Sequence, residues 1–378
     1  LCIHITPQLP PAVCGVGDYA RVVGGRMEQL APGVRCAYVA AGTRAAALPP
    51  AKGNESARLA RSLGGAPSAA ALWAAIESLA DGRSADELAV VLHYSGYGYE
   101  LGGAPAWLAA AVEQRPPRWS GVRWATMFHE LFATGRPWER AFWSSGRQRS
   151  IAARIARASD ALMTNREQSA RWLETQAGLP AGSVPHLPVP SNVGEPAEIV
   201  PWDERPRRAV TFGGARFKRF ALVEQADEAA ELLRRLQIEE LVDIGETAPI
   251  AATAFERRGI RVRGLGRTSA LDVSAVLCQS RVGLMSYPKV VLTKSGILAA
   301  FAAHGMAVFG DLPLTGDGPT LLSLSEAAQA GDLEVVTSAR TAAVANALWY
   351  SQHTSWHHGD LVVSRLFASM GARKSLLS

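Results

Sequence analysis

The stretch RVGLMSYPKVVLTKSGILAAFAAHGMAVFG, Arg281–Gly310, decides the fold. Arg281–Met285 is a short apolar run that reads as a strand, and Ser286–Thr293 is a loop opened by Tyr287 and Pro288. Lys294-Ser295-Gly296 then starts a helix that runs to about His304, with Gly305 closing it and Met306–Phe309 supplying the next strand. Serine ahead of an Ala-rich run is a favoured N-cap, because its hydroxyl satisfies an amide that has no helical partner. The remaining free amides and the positive dipole end of a first helical turn attract an anion. Lys294 adds a full charge at the same place. Open α/β sheets bind phosphorylated ligands at such loops, outside the carboxyl ends of their strands. A buried Ala-rich helix whose lysine points to water fits the same residues equally well.

The alternation of strand and helix continues on both sides of this stretch. Upstream, Ala209–Phe212, Leu241–Ile244 and Ile260–Val262 read as strands, with a helix over Ala221–Leu236 after the first and another over Ala270–Cys278 after the third. Helices follow from about Thr341 onward. In the first half, Leu1–Thr6, Val34–Ala40, Leu88–Tyr94, Val122–Phe128 and Asp160–Thr164 read as strands. LAVVLHY is the near-continuous apolar run of a parallel strand buried on both faces. Helices are expected from about Asp18 to Leu30, with Asp18 as cap, and over Ala69–Ala80, Pro105–Gln114 and Glu167–Gln176. Gly42–Ser68 reads as a small-residue surface segment, and Ser191–Pro206, rich in Pro, Glu and Asn, as the interdomain linker. The fold class is α/β, with two doubly wound Rossmann-like domains facing a cleft. Residues 1–200 form the first and 201–354 the second, with a helix in 355–378 packing back on the first.

Composition narrows the function classes. A chain of 378 residues with 48% hydrophobic and 19% charged residues has ample apolar surface for two cores. No apolar run reaches membrane-spanning length, and Leu1–Thr6 lacks the basic region and long apolar core of a signal peptide. Cys2, Cys14, Cys36 and Cys278 share no metal-ligand or disulfide spacing, so a reducing cytoplasm is expected. A net charge of +5 permits peripheral contact with anionic lipid at the inner membrane face, but forms no basic patch for nucleic acid.

Four clusters could carry chemistry. Gly15-x-Gly17-x-x-Ala20 matches the dinucleotide fingerprint as a string, yet the loop Pro7–Cys14 separates it from its strand. No acidic residue ends the second strand to hold a ribose. It serves better as a backbone loop approaching a phosphate or sugar. Gly213-Gly214-Ala215-Arg216-Phe217-Lys218-Arg219 follows a strand directly, so flexible backbone and three cations meet in one loop suited to a diphosphate. His129-Glu130 ends a strand, where the histidine can orient a sugar hydroxyl or relay a proton and the carboxylate can act as base. Tyr94-Ser95-Gly96-Tyr97 ends another, offering aromatic faces to a sugar, or only a packed aromatic loop. D-x-D, Walker and G-x-S-x-G motifs are absent from the sequence, which removes the metal-dependent sugar-nucleotide site built on D-x-D, the P-loop and the α/β-hydrolase.

In order along the chain, Gly15-Val16-Gly17-Asp18-Tyr19, His129, Gly213…Arg216…Lys218 and the Gly305-closed helix resemble a GT-B glycosyltransferase of the family-four or family-one type. The resemblance implies a metal-independent hexosyl transfer from a nucleotide-diphosphate sugar to a hydroxyl of a glycan or lipid-linked acceptor, as in polysaccharide assembly, with retention of configuration. No cofactor and no metal are implied. Arg216 and Lys218 match the basic pair on the donor diphosphate, helped by Gly15, Gly17, Gly213, Lys294, Ser295 and Gly296. His129 matches the histidine on the transferred sugar; Asp18, His129 or Glu130 is the base if the enzyme inverts. Tyr94, Ser95 and Tyr97 fall on the acceptor side. One departure stands out. The family's E-x7-E glutamates would fall near Leu292 and Ala300, and neither is acidic. A non-catalytic sugar-nucleotide binder, a sugar-nucleotide epimerase and an NAD-linked oxidoreductase resting on Gly15 and Gly17 are the rival readings.

Overall fold

Among the described residues twelve strands pair in parallel in two sheets, and most of them are apolar runs with β-branched residues too short for a helix. The computed structural model describes residues 1–10, 12, 14–46, 59–133, 140–314 and 318–374. They divide into two units: Leu1–Pro188 with the segment from Ser355 on, and Val189–Thr354.

Unit 1 contains β1 (Cys2–Thr6), β2 (Cys36–Ala40), β3 (Ala60–Ser62), β4 (Ala89–Ser95), β5 (Arg123–Glu130) and β6 (Ala161–Thr164), in the order β3-β2-β1-β4-β5-β6. Every residue of β1, β2 and β4 is buried, as strands covered on both faces should be. One face packs Ile3, Val90, Tyr94 and Phe128 against helices that include Ala69–Ala80 and Ala106–Glu113. The other packs Cys2, Val91 and Met127 against the helix Gly15–Leu30 and against Val362 and Leu366 of the helix Ser355–Lys374. That last helix is tied down at several points. Arg26 donates to Ser355 Oγ at 2.9 Å and lies over the Trp356 ring at 4.2 Å. Arg123 donates to the Leu366 carbonyl at 2.5 Å.

Unit 2 contains β7 (Arg208–Gly213), β8 (Glu240–Gly245), β9 (Arg261–Gly266), β10 (Val282–Leu284), β11 (Ala307–Gly310) and β12 (Leu321–Ser323), in the order β12-β11-β10-β7-β8-β9. Counted within its own unit, each sheet runs 3-2-1-4-5-6, the doubly wound Rossmann order. The chain reverses direction between β1 and β4 in unit 1 and between β7 and β10 in unit 2. Such reversal points part the loops above the sheet and leave a crevice for ligand.

Several expectations shift in detail. Ser191–Pro206, read as a linker, belongs to unit 2: Ser191 N–H donates to the Tyr350 hydroxyl at 2.9 Å and Arg205 to the Ser280 carbonyl at 2.9 Å. β3 and β12 were not expected; each is a three-residue edge strand. Of the surface segment expected at Gly42–Ser68, residues 47–58 lie outside the described part. The loop expected at Gly213–Arg219 contains a short helix, Ala215–Arg219. Asp18 does not cap its helix. Cys14 holds the cap position and the helix begins at Gly15, because Gly15-Val16-Gly17 join the first turn. Among the described residues, no helix is long and apolar enough to cross a membrane.

Candidate active site

In unit 2 the loops after β7 and β10 adjoin. Gly213 has φ +105°, which a side chain would strain, and a Cβ there would lie 2.5 Å from Ile297 Cδ1. The β7 loop therefore rests directly on the first turn of the helix Gly296–Ala303. Ser295 caps that helix as expected, accepting from Leu298 N–H at 3.2 Å. The amides of Gly296 and Ile297 lead the helix with no acceptor of its own ahead of them. The two loops are also joined by the Ser286 N–H, which donates to the Phe217 carbonyl at 2.9 Å. Phe217 and Tyr287 stack across the same junction at 5.0 Å. Arg216 is exposed, its guanidinium 4.4 Å from the centre of the Phe217 ring, so it rides on this aromatic platform. Lys294 ends the 3₁₀ turn Lys289–Lys294 that leads into Ser295.

Lys218 departs from its expected place. It is fully buried, with Nζ 2.6 Å from Asp243 Oδ1 and donating to the carbonyls of Ile244 and Glu246 at 3.2 and 2.5 Å. Asp243 in turn accepts from Thr211 Oγ1 at 2.7 Å. With its donors turned inward, Lys218 fastens the β7 loop to the end of β8 and presents no charge to a ligand. Glu246 joins the same corner, accepting from Ala215 N–H at 3.1 Å. Asp243 and Glu246 had no sequence signal, since neither lies in a motif.

In unit 1 the helix Gly15–Leu30 presses on the loop after β1. A Cβ on Gly17 would fall 2.2 Å from the Gln8 carbonyl, whereas one on Gly15 would meet nothing. Asp18, in the first turn, is pushed up to about 6 by burial. A carboxyl with that value exchanges its proton near neutral pH, which suits acid–base work. Tyr94, expected on the acceptor side, instead points into the core, fully buried against Phe128 at 5.2 Å, and offers no face to a sugar. Alternation along β4 puts its neighbours His93 and Ser95 on the opposite face. Ser95 Oγ donates to Glu130 Oε2 at 3.0 Å, and Tyr97 is a half-exposed ring whose hydroxyl accepts from Gln148 at 2.9 Å.

His129 does not stand by itself at its strand end. His93 Nδ1 is 3.3 Å from His129 Nε2, and His93 Nε2 is 3.0 Å from His4 Nδ1, so three imidazoles on β1, β4 and β5 form a chain. Adjacent rings are tilted by only 15° and 29°, which keeps the ring nitrogens in plane with one another. Tyr19 packs its ring against His129 at 4.7 Å and His93 at 5.5 Å, and its hydroxyl bonds His358 Nδ1 at 2.7 Å. His358 Nε2 donates to the Pro188 carbonyl at 2.8 Å, and burial lowers its pKa to about 4. Burial, then the neighbouring His4 and His129, hold His93 well below the usual histidine range. His93 was legible as a residue of LAVVLHY but not as the partner of His129. Among the described residues, no group of three or more His, Cys, Asp or Glu is arranged to hold a metal ion.

The fold matches solved glycosyltransferases. An α-glucosyltransferase in complex with UDP superposes with a TM-score of 0.54 at 11% identity, over 93% of this chain and 95% of its own. The same enzyme type with UDP and a 13-mer DNA containing an HMU base gives 0.55 at 11% identity, over 93% and 95%. With UDP-glucose and DNA containing an abasic site it gives 0.54, at the same identity and coverage. This chain has the GT-B fold, two Rossmann-like units in one chain. No protein-family model matches it. No curated protein matches it in sequence.

Proposed function

We propose that the chain is a glycosyltransferase that moves a sugar from a nucleotide-diphosphate donor, held by unit 2, to a hydroxyl acceptor. The observation that carries this reading is the junction of the Arg216 loop with the Ser295-capped helix at the β7/β10 reversal. The structurally similar α-glucosyltransferase is seen in complex with UDP and with UDP-glucose, so uridine diphosphate is the first nucleotide to offer. As the glycosidic bond breaks, charge builds on the leaving diphosphate. Groups already aimed at that position stabilise it without reorganising. Arg216 can bind phosphate oxygens bidentately, the Gly296 and Ile297 amides add donors, and Lys294 adds a point charge. Lys218 serves by fixing the loop that carries Arg216.

On the acceptor side, His129 and Glu130 at the end of β5 and Asp18 at the head of its helix are the groups offered to the sugar and the attacking hydroxyl. With a value near 6, Asp18 is the strongest candidate base should the enzyme invert. Retention follows from the resemblance instead. Acceptors to offer are glycan and lipid-linked hydroxyls, with DNA included because the structurally similar α-glucosyltransferase is seen in complex with it.

A sugar-nucleotide binder without transfer is the second reading. It is favoured by Leu292 and Ala300, buried apolar residues where the family has its glutamates. The experiment is mass-spectrometric detection of transfer across UDP-, GDP- and ADP-sugars with this acceptor panel. Transfer that Arg216→Ala removes supports the enzyme. Ligand-induced stabilisation with neither transfer nor donor hydrolysis supports the binder.

A further inference from the structure

An arginine stacked on an aromatic face keeps its N–H edge open, so the ring fixes the plane of the fork while the donors stay available to an oxyanion. Among the described residues, three arginines lie over a ring and have no hydrogen bond or ion pair from the side chain: Arg216 on Phe217, Arg149 on Phe132 at 4.5 Å and Arg21 on Tyr38 at 4.9 Å. Others on rings direct their donors to protein, as Arg118 does to Glu77 and Arg115 to Asp160. Arg21 covers a ring within β2. Arg149 matches Arg216 in its place in the fold. Phe132 follows Glu130, the last residue of β5, by two positions, much as Phe217 follows the end of β7.

The helix Arg140–Ala158, which carries Arg149, is pinned to these strand ends. Gln148 Oε1 accepts from Ala133 N–H at 2.7 Å, and Gln148 Nε2 donates to the Tyr97 hydroxyl at 2.9 Å and the Gly102 carbonyl at 3.0 Å. Phe132 is braced edge-on by Trp172 at 5.1 Å. The exposed Arg149 guanidinium is thus held in a set plane, preorganised for one phosphate or carboxylate. A polyanion would need a row of open cations, but Arg154 on the same helix is paired with Glu113, and Arg171 with Glu167. We propose that Arg149 is a specificity-determining residue that binds an acidic group, a phosphate or a carboxylate, on a sugar acceptor. This role rests on the glycosyltransferase reading, in which Glu130 faces the acceptor. Two residues of chain span at most about 7 Å, so the acid sits roughly one sugar unit from the accepting hydroxyl.

The test compares methyl glucoside, methyl glucoside 6-phosphate, methyl glucuronide and a short DNA duplex as acceptors for the full chain, in the parent and in Arg149→Met. The phosphate or the glucuronide should have the higher kcat/KM, and which of the two does so tells which acid is read. Arg149→Met should lower the ratio of acidic to neutral acceptor roughly 10- to 100-fold, the scale of one charge-assisted contact, with Arg149→Lys in between. Unchanged melting temperatures show that the surface substitutions leave the fold intact. A preference for the neutral glucoside or for DNA overturns the proposal, as does a ratio that Arg149→Met leaves unmoved. If none of the four is glycosylated, calorimetric titration with methyl glucoside 6-phosphate and with methyl glucuronide decides. Binding of either that Arg149→Met weakens by roughly tenfold or more upholds the subsite, and binding that is absent or unchanged removes it. That binding with no transfer to any acceptor sinks the enzymatic reading alone. Transfer confined to neutral acceptors sinks the subsite alone.

Discussion

At the β1/β4 reversal of unit 1, the enclosed polar groups are rings: His4, His93 and His129 in a chain, with Tyr19 bonded to His358 beside them. At the β7/β10 reversal of unit 2, the enclosed groups are a charged pair, Lys218 and Asp243, beneath a loop carrying exposed Arg216. Strand order is the same in both sheets. Under the proposed function, identical topology would frame two kinds of recognition. Imidazole and phenol rings suit the hydroxyls of a sugar, where desolvation is cheap and geometry counts. Fixed cations and helix amides suit a diphosphate, whose charge is too costly to leave unmatched.

The largest effect should come from breaking the charged pair. Lys218→Met leaves Asp243 buried without its cation and should cost about 3–5 kcal/mol in urea unfolding. Pairing it with Asp243→Leu should recover much of that loss. If the single variant is as stable as the parent, the contrast between the units is not one of buried charge. Arg216→Ala comes next: on the surface it should leave stability within about 0.5 kcal/mol yet lower transfer roughly 100-fold in kcat/KM, the scale of losing one preorganised donor.

Glycine substitution then compares the two loops. Gly213→Ala should cost about 1–3 kcal/mol through its positive φ and the clash with Ile297, whereas Gly15→Ala should be neutral or stabilising by up to about 1 kcal/mol. Thermal unfolding of the two variants checks the pair. The last effect is electrostatic. Asp18 has a folded value of about 6 against 3.8 for the free side chain, so burial penalises its ionised form. That penalty is absent below pH 4, grows between 4 and 6, and is complete above 6. Asp18→Asn should therefore raise Tm at pH 7.5 and leave it unchanged at pH 3.5, and equal shifts at both values would show that ionisation is not the cause.

The residues that were legible announced themselves locally. Leu88–Tyr94 became β4 because only a strand buried on both faces tolerates so many consecutive apolar residues. Ser295 and Gly305 bounded their helix through chemistry confined to its ends: a hydroxyl on an amide, and a φ of +62°. What was hidden depended on partners distant in sequence or on parity. Lys218 reads as a surface cation until Asp243 arrives on the adjacent strand. Tyr94 and His93 differ by one position, and alternation sends the tyrosine into one core and the histidine to the opposite face, beside His129. β3 and β12 carry three residues each at sheet edges, too few for a pattern to show.

The return of Ser355–Lys374 to unit 1 makes unit 2 an insertion between two parts of its neighbour. On the ribosome, Val189–Thr354 emerges as one uninterrupted stretch and can fold without waiting. The earlier unit must hold Met27 and Val23 exposed until Val362 and Leu366 are made. Maturation is therefore nested, the inner body finishing before the outer one closes, and truncation before Ser355 should send the chain toward chaperones or aggregation although its sheet sequence is intact.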